Sequence, residues 1–121
     1  MVMNRLIAAL FLLVAAFPPV TALSVSFFTA IEDMPVAPGL TEKADSGVTF
    51  DTPGGRIVSV EALGNVRIPA VRAFYAKALP PLGWVSYGTD AYRRDGERLT
   101  LRFAAGNGQL TVLFRVVPVR K

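Results

Sequence analysis

Apolar and polar residues alternate strictly near the carboxyl end of the chain. Leu99, Leu101 and Phe103 alternate with Thr100 and Arg102. The run from 109 to 117 repeats the pattern, with the apolar positions Leu110, Val112, Phe114 and Val116. A period of two places the two sets on opposite faces of a strand. We therefore predict two strands that each have one buried face and one face toward water.

Short breaks rich in Gly, Asp and Asn divide the chain after residue 83 into four β-prone segments. These segments are 84–87, 91–94, 97–104 and 109–117, joined at 88–90, 95–96 and 106–108. Asp95-Gly96 between strand-like residues is a strong hairpin signal, because a tight hairpin turn requires positive φ at both central positions. The pattern predicts an antiparallel meander.

The apolar spacing becomes helical between residues 69 and 82. The expected buried stripe consists of Val71, Phe74, Tyr75, Ala78, Leu79 and Leu82. Pro69 suits the first turn of a helix, and Pro80-Pro81 end it near Leu79. Before the helix, the β-branched run 56–63 predicts a strand with Val58, Val60 and Ala62 on one face. We predict an α+β domain over 56–121 in which one helix packs on a small antiparallel sheet, in the order strand, helix, meander.

The first 22 residues have the layout of a secretory signal peptide. Arg5 precedes an unbroken apolar run from 6 to 17, and Pro18-Pro19 separate this run from Ala22. A helix that spans a bilayer needs about 20 apolar residues, and this run has only about 12. We predict cleavage after Ala22 and a periplasmic or secreted protein. The alternative is a retained membrane anchor with the rest of the chain on the same side of the membrane.

Prolines and glycines recur between residues 30 and 55 too often for a helix or a long strand. The segment 23–55 is therefore predicted to be an extended acidic arm, with a short strand around Val48 and Phe50. Met34, Val36, Leu40, Val48 and Phe50 are apolar enough to pack on the domain. The arm is consequently not expected to be a free linker.

The composition narrows the chemistry that the protein can perform. The chain contains neither Cys nor His. Disulfides and thiol chemistry are therefore excluded, and zinc and haem sites are not expected. The carboxylates Asp90, Asp95 and Glu97 fall in or beside predicted turns, and no serine has a histidine to activate it. We predict no catalytic residue, no metal site and no cofactor.

Charge is distributed unevenly along the chain. In 23–55, five carboxylates and one lysine give a net charge of −4, whereas 56–121 carries eleven Lys or Arg and four carboxylates, for a net charge of +7. Either the acidic arm lies across the basic face of the domain, or the basic face meets an anionic partner. The two interpretations are compatible if the arm is a displaceable cover.

Five arginines form the candidate binding set: Arg93, Arg94, Arg98, Arg102 and Arg115. The strand pattern places Arg102 and Arg115 on the face opposite the core, where they can share a surface with Arg98 and with one of the two residues at 93 and 94. Guanidinium groups offer parallel donors that suit phosphate or carboxylate. The alternative is a solvated face that charge keeps soluble, with Asp95 and Glu97 pairing some of it.

The segment 74–84 combines Phe74-Tyr75, Leu79-Pro80 and Gly83-Trp84 at the passage from the helix to the meander. In this it resembles small bacterial envelope proteins with the same helix-to-strand pattern, over about 50 residues. The resemblance implies a compact helix-on-sheet module and transfers no catalytic residue. The alternative is that these aromatic residues only pack the core.

From the sequence we expect a non-enzymatic exported module that binds an envelope protein through an exposed sheet face or edge. The alternative is an anionic lipid or glycan bound by the arginine face at a membrane surface. Nucleic acid is not an expected partner, because the export signal removes the protein from it. A small hydrolase is the least favoured alternative.

Overall fold

The computed structural model describes residues 25–119 together with 15, 16 and 18, so most of the predicted signal peptide lies outside the described residues. The fold is α+β, as predicted. Its elements in chain order are β1 (Thr41–Glu42), β2 (Val48–Thr52), β3 (Gly55–Gly64), α1 (Ile68–Ala78), β4 (Val85–Ser86), β5 (Ala91–Arg94), β6 (Glu97–Gly106) and β7 (Gln109–Pro118). A 3-10 turn at Pro80–Leu82 follows α1.

The described strands form a single antiparallel sheet in the order β1-β3-β7-β6-β5-β4, with β2 pairing beside β1 along the same edge of β3. Tight turns set the registers of the β5–β6 hairpin and the β6–β7 hairpin. Asp95 and Gly96 both have positive φ, as do Asn107 and Gly108. Because these turns need no further residues, Arg94 pairs with Glu97 across the first hairpin.

The helix α1 covers one face of the sheet with part of the predicted stripe. Leu82 was expected in this stripe but is 36% exposed, because it lies in the 3-10 turn that follows α1. Val71, Tyr75 and Leu79 are buried, and the Tyr75 ring meets the Phe114 ring at 5.4 Å between centroids. The Tyr75 hydroxyl donates to the Pro35 carbonyl at 2.8 Å and accepts from the Ala37 N–H at 3.1 Å. Since α1 and the preceding segment share this hydroxyl, Tyr75 ties the two together.

Residues 25–40 cross the same face as α1 and complete the core. Met34 is fully buried, and the Phe28 ring packs against the Phe114 ring at a tilt of 55°, with centroids 4.7 Å apart. The chain passes close to β3, since a Cβ at Gly64 would lie 2.0 Å from the Gly39 carbonyl oxygen. We call the face under α1 and residues 25–40 the covered face, and the opposite one the open face.

The end of the arm departs from the prediction in one respect. Val48 and Phe50 form the predicted short strand, but they lie exposed on β2 instead of packing into the core. Their register partners on β3 are Ser59 and Ile57, which face away from the buried Val60. The apolar side chains of β2 therefore belong to the open face.

Candidate functional site

The strand registers place four of the five candidate arginines on the open face. Arg93 of β5 lies directly opposite Arg98 of β6, and Arg98 and Arg102 share a face of β6 because their positions differ by four, an even number. Arg115 of β7 pairs with Thr100 of β6, between those two arginines. Arg115 is consequently a diagonal neighbour of both, at a separation of roughly 7–8 Å.

Arg94 lies on the covered face instead. Its guanidinium carbon is 4.4 Å from the Trp84 ring centroid, and its Nη1 donates to the Leu82 carbonyl at 3.0 Å. Both partners belong to the connection between α1 and β4. Arg94 thus holds that connection against the end of the sheet, and Arg93 joins the open face.

The arginines of the open face have no carboxylate partner among the described residues. The ion pairs among the described residues join Lys43 to Glu61, Arg56 to Asp51 and Arg72 to Asp90. Within the described strands, Glu61 is the one carboxylate that the register places on the open face, and Lys43 holds it at 3.5 Å. The positive charge of this face is therefore left uncompensated by residues 25–119.

Apolar side chains stand between and beside these arginines. Phe50 is 60% exposed and Val85 67% exposed, at opposite edges of the sheet. Between them the registers place the half-buried side chains Ile57, Leu63, Leu113 and Val117. The open face is thus a mixed surface of aliphatic side chains and guanidinium groups.

The acidic arm leaves the open face uncovered within the part of the chain that the structure describes. Residues 25–40 pack on the covered face, and the Glu42 carboxylate accepts from the Thr29 N–H at 3.1 Å. Arg93, Arg102 and Arg115 are exposed. In these residues, the arm therefore does not lie across the basic face.

The carboxylates Asp90, Asp95 and Glu97 do not converge. Asp90 precedes β5, whereas Asp95 lies in the turn at its other end and Glu97 follows that turn. Arg72 of α1 holds Asp90 through hydrogen bonds of 2.9 and 2.8 Å, which raise the pKa of Arg72 above its ordinary value. Among the described residues, no group of carboxylates is placed to hold a metal ion.

A cleft of about 670 Å³ opens on the covered face, between residues 27–33 and the sheet. Val58 and Val116 line it together with Trp84, Arg94 and Glu97. The Trp84 Nε1 is enclosed without a hydrogen-bond partner among the described residues. The cleft lies beside α1 instead of beneath it, because buried side chains of Tyr75, Leu79 and Phe114 fill the space between α1 and the sheet.

Sequence reasoning missed Tyr87, which completes the arginine cluster. The Arg93 guanidinium carbon lies 4.1 Å from the Tyr87 ring centroid, and that of Arg98 lies 5.8 Å from it. Val85 and Tyr87 are two residues apart, so they share a face with Arg93, the partner of Val85. The Asp95-Gly96 turn signalled that Arg93 opposes Arg98, because a two-residue turn fixes this register, but it gave no signal for Tyr87.

Comparisons with known proteins add no further constraint. No family model, no curated protein and no solved structure matches the chain. Among the described residues, the structure contains no helix long and apolar enough to cross a membrane.

Proposed function

We propose that the protein is a non-enzymatic exported module that docks its open face on the anionic surface of a membrane in the cell envelope. The observation that carries the proposal is the placement of Arg93, Arg98, Arg102 and Arg115 on one face, with no carboxylate partner among residues 25–119. Anionic lipids attract such a surface, with about 1 kcal/mol for each Lys or Arg close to the membrane.

The exposed apolar side chains of the open face support a lipid surface over a purely aqueous anion. Phe50 and Val85 stand at the two edges of the face and are more than half exposed. Apolar side chains gain free energy when they leave water for the boundary of the acyl chains, and guanidinium groups beside them reach the phosphates. The export signal predicted over 1–22 would deliver the face to an envelope membrane.

The test is cosedimentation with lipid vesicles at several salt concentrations. Vesicles of phosphatidylcholine alone are compared with vesicles that contain about one quarter phosphatidylglycerol. The full chain is used throughout, so that the apolar segment 6–17 contributes equally to both vesicle types. We expect preference for the anionic vesicles, weakened by salt because salt screens exposed charges.

Two double variants distinguish the effect of the open-face arginines on binding from the effect of the net charge of the protein. Arg102→Gln with Arg115→Gln removes two charges from the open face and should weaken binding to anionic vesicles roughly 30-fold, from about 1 kcal/mol for each charge. Arg67→Gln with Lys77→Gln removes the same charge near α1 and should change binding far less. Equal losses, or no preference for anionic vesicles in the parent chain, would refute the proposal.

A second candidate function rests on the edge of the sheet. All five residues of β2 are exposed, and no further strand of the described residues pairs with its outer side. An unpaired edge accepts a strand from another protein. A photoreactive residue in place of Phe50 would then crosslink an envelope protein in cells, whereas one in place of Arg102 would crosslink lipid if the first proposal holds.

A further inference from the structure

Arg93 and Arg98 form an arrangement that the stability of the fold does not require. The two residues are directly opposed on β5 and β6, where Cβ atoms lie about 4.5–5.5 Å apart and like charges destabilise the pair. No ion pair among the described residues offsets this repulsion. Two adjacent cations without a counter-charge are an arrangement suited to an anion that bridges them.

The Tyr87 ring orders these guanidinium groups. Arg93 lies at 4.1 Å and Arg98 at 5.8 Å from the ring centroid, both within the range of cation–π attraction. The Arg98 Nε is enclosed and has no acceptor among the described residues. Because the ring engages Arg93 without accepting its hydrogen bonds, the N–H donors of this exposed guanidinium stay available to a phosphate.

A hollow lined by apolar and charged side chains lies immediately beside Arg93. It has a volume of about 470 Å³, and its lining combines Val85, Tyr87 and Val119 with Arg93, Arg94, Asp95 and Glu97. Val85 is 67% exposed at the wall of this hollow. Neither of the two lining carboxylates, Asp95 and Glu97, forms an ion pair with Arg93 among the described residues. The site therefore combines donors for an anion with a wall for an apolar group.

We propose that Arg93, Arg98 and Tyr87 bind the phosphate of a single membrane phospholipid, with the start of its acyl chain against Val85 and Val119. This inference rests on the proposed docking of the open face on an anionic membrane and names the lipid site within it. The ligand class is a phospholipid with a net negative charge. A zwitterionic headgroup brings its own ammonium group toward the two arginines and binds more weakly.

Titration with short-chain phospholipids below their micelle concentration tests the site without a membrane. We expect dihexanoyl phosphatidylglycerol to shift the NMR signals of the Arg93 and Arg98 Nε–H groups and the Tyr87 ring. Dihexanoyl phosphatidylcholine and inorganic phosphate should bind at least about tenfold more weakly, since the first lacks net charge and the second lacks the apolar part.

Three single variants localise the binding. Arg93→Gln and Arg98→Gln should each weaken phosphatidylglycerol binding about tenfold, and Val85→Ser should weaken it while leaving inorganic phosphate unaffected. Arg67→Gln, which removes one positive charge from an exposed position beside α1, is the matched control and should stay within about twofold of the parent. Arg93 and Val85 are exposed, so their variants keep the test valid if Arg98→Gln fails to fold.

The outcomes separate this site from the docking of the whole face. If the parent chain prefers anionic vesicles but the short-chain lipid does not bind, the site is wrong and the docking proposal stands. If inorganic phosphate binds as tightly as the lipid, or Val85→Ser has no effect, the ligand is a free anion and the assignment to phospholipid is overturned. If neither vesicles nor short-chain lipids discriminate by charge, both proposals fall.

Discussion

Arg93 and Arg94 follow one another on β5, and each lies against an aromatic ring, but their surroundings differ. Arg94 on the covered face lies over the buried Trp84 and donates to the Leu82 carbonyl. Arg93 on the open face lies over the half-exposed Tyr87, opposite another arginine. One guanidinium completes the fold and the other is left available. A cation on a sheet is thus best interpreted through the partners of its N–H donors.

The same contrast extends to the two whole faces. The described residues bury their large side chains, such as Phe114 and Met34, on the covered face. The open face alternates with it residue by residue and retains Leu113 and Val117 half exposed. Substitutions at neighbouring positions therefore test whether the faces differ in solution as they do in the structure.

The largest contrast is expected between Phe114→Ala and Leu113→Ala. Phe114 is fully buried against Phe28 and Tyr75, so its loss should lower the free energy of unfolding by about 3–5 kcal/mol. Leu113→Ala on the open face should cost less than about 1.5 kcal/mol. Urea denaturation of both variants measures the difference. Similar costs would mean that the open face is itself buried in solution.

Tyr75→Phe tests the polar tie within the covered face. The variant leaves the Ala37 N–H and the Pro35 carbonyl buried without a partner, which should cost about 1–3 kcal/mol. Tyr87→Phe on the open face is the matched control, because the Tyr87 hydroxyl has no hydrogen bond within the described residues, and it should change stability by less than about 0.5 kcal/mol. Thermal unfolding at neutral pH compares them. Equal effects would contradict the role of Tyr75.

The same hydroxyl gives the protein a sensitivity to alkali. Burial raises the pKa of Tyr75 above that of an unfolded tyrosine, which is about 10. Between the pKa of an unfolded tyrosine and the raised pKa of Tyr75, the folded state holds the proton that the unfolded state has lost. Stability is therefore complete below pH about 10 and decreases as pH rises above it. Burial raises the pKa of Tyr92 as well, and therefore Tyr75→Phe should reduce this decrease without abolishing it. A variant that unfolds in alkali as the parent does would contradict this account.

Periodicity made most of the fold predictable from sequence. The strands β3, β5, β6 and β7 and the helix α1 fall within two residues of their predicted bounds, because alternation and helical spacing report directly on burial. The predicted packing of Met34, Val36 and Leu40 on the domain is confirmed, since all three are buried. Which contacts residues 25–40 make in the core was beyond the same reasoning. Their contacts with Phe114 and Tyr75 join positions far apart in the chain, which no local pattern encodes.

The positions of the arginines on the open face were predictable in part, because alternation also reports which side chains share a face. Alternation alone placed Arg102 and Arg115 together, and the Asp95-Gly96 turn contained the register that selects Arg93 over Arg94. Tyr87 and its hollow depend on β4, which has only two residues. So short a strand shows no alternation, and its face is fixed by contacts with β5 that the sequence does not reveal.

The smallest and most specific contrast is between Arg94→Gln and Arg93→Gln. Arg94→Gln loses the hydrogen bond to the Leu82 carbonyl and the stacking on Trp84, at a cost of about 1 kcal/mol in the free energy of unfolding. Arg93→Gln loses the contact with Tyr87 but also the repulsion from Arg98, so its effect on stability should lie within about 0.5 kcal/mol of zero.

Substitution of one of these neighbouring arginines should then affect lipid binding, and substitution of the other should affect stability. Arg93→Gln weakens phospholipid binding with little effect on unfolding, and Arg94→Gln lowers the unfolding midpoint with little effect on binding. Denaturant unfolding and lipid titration on the same two variants measure both quantities. Because both variants remove one positive charge from adjacent positions, net charge contributes equally to each. A loss of binding in both would therefore assign the effect to overall charge and remove the distinction between the two faces.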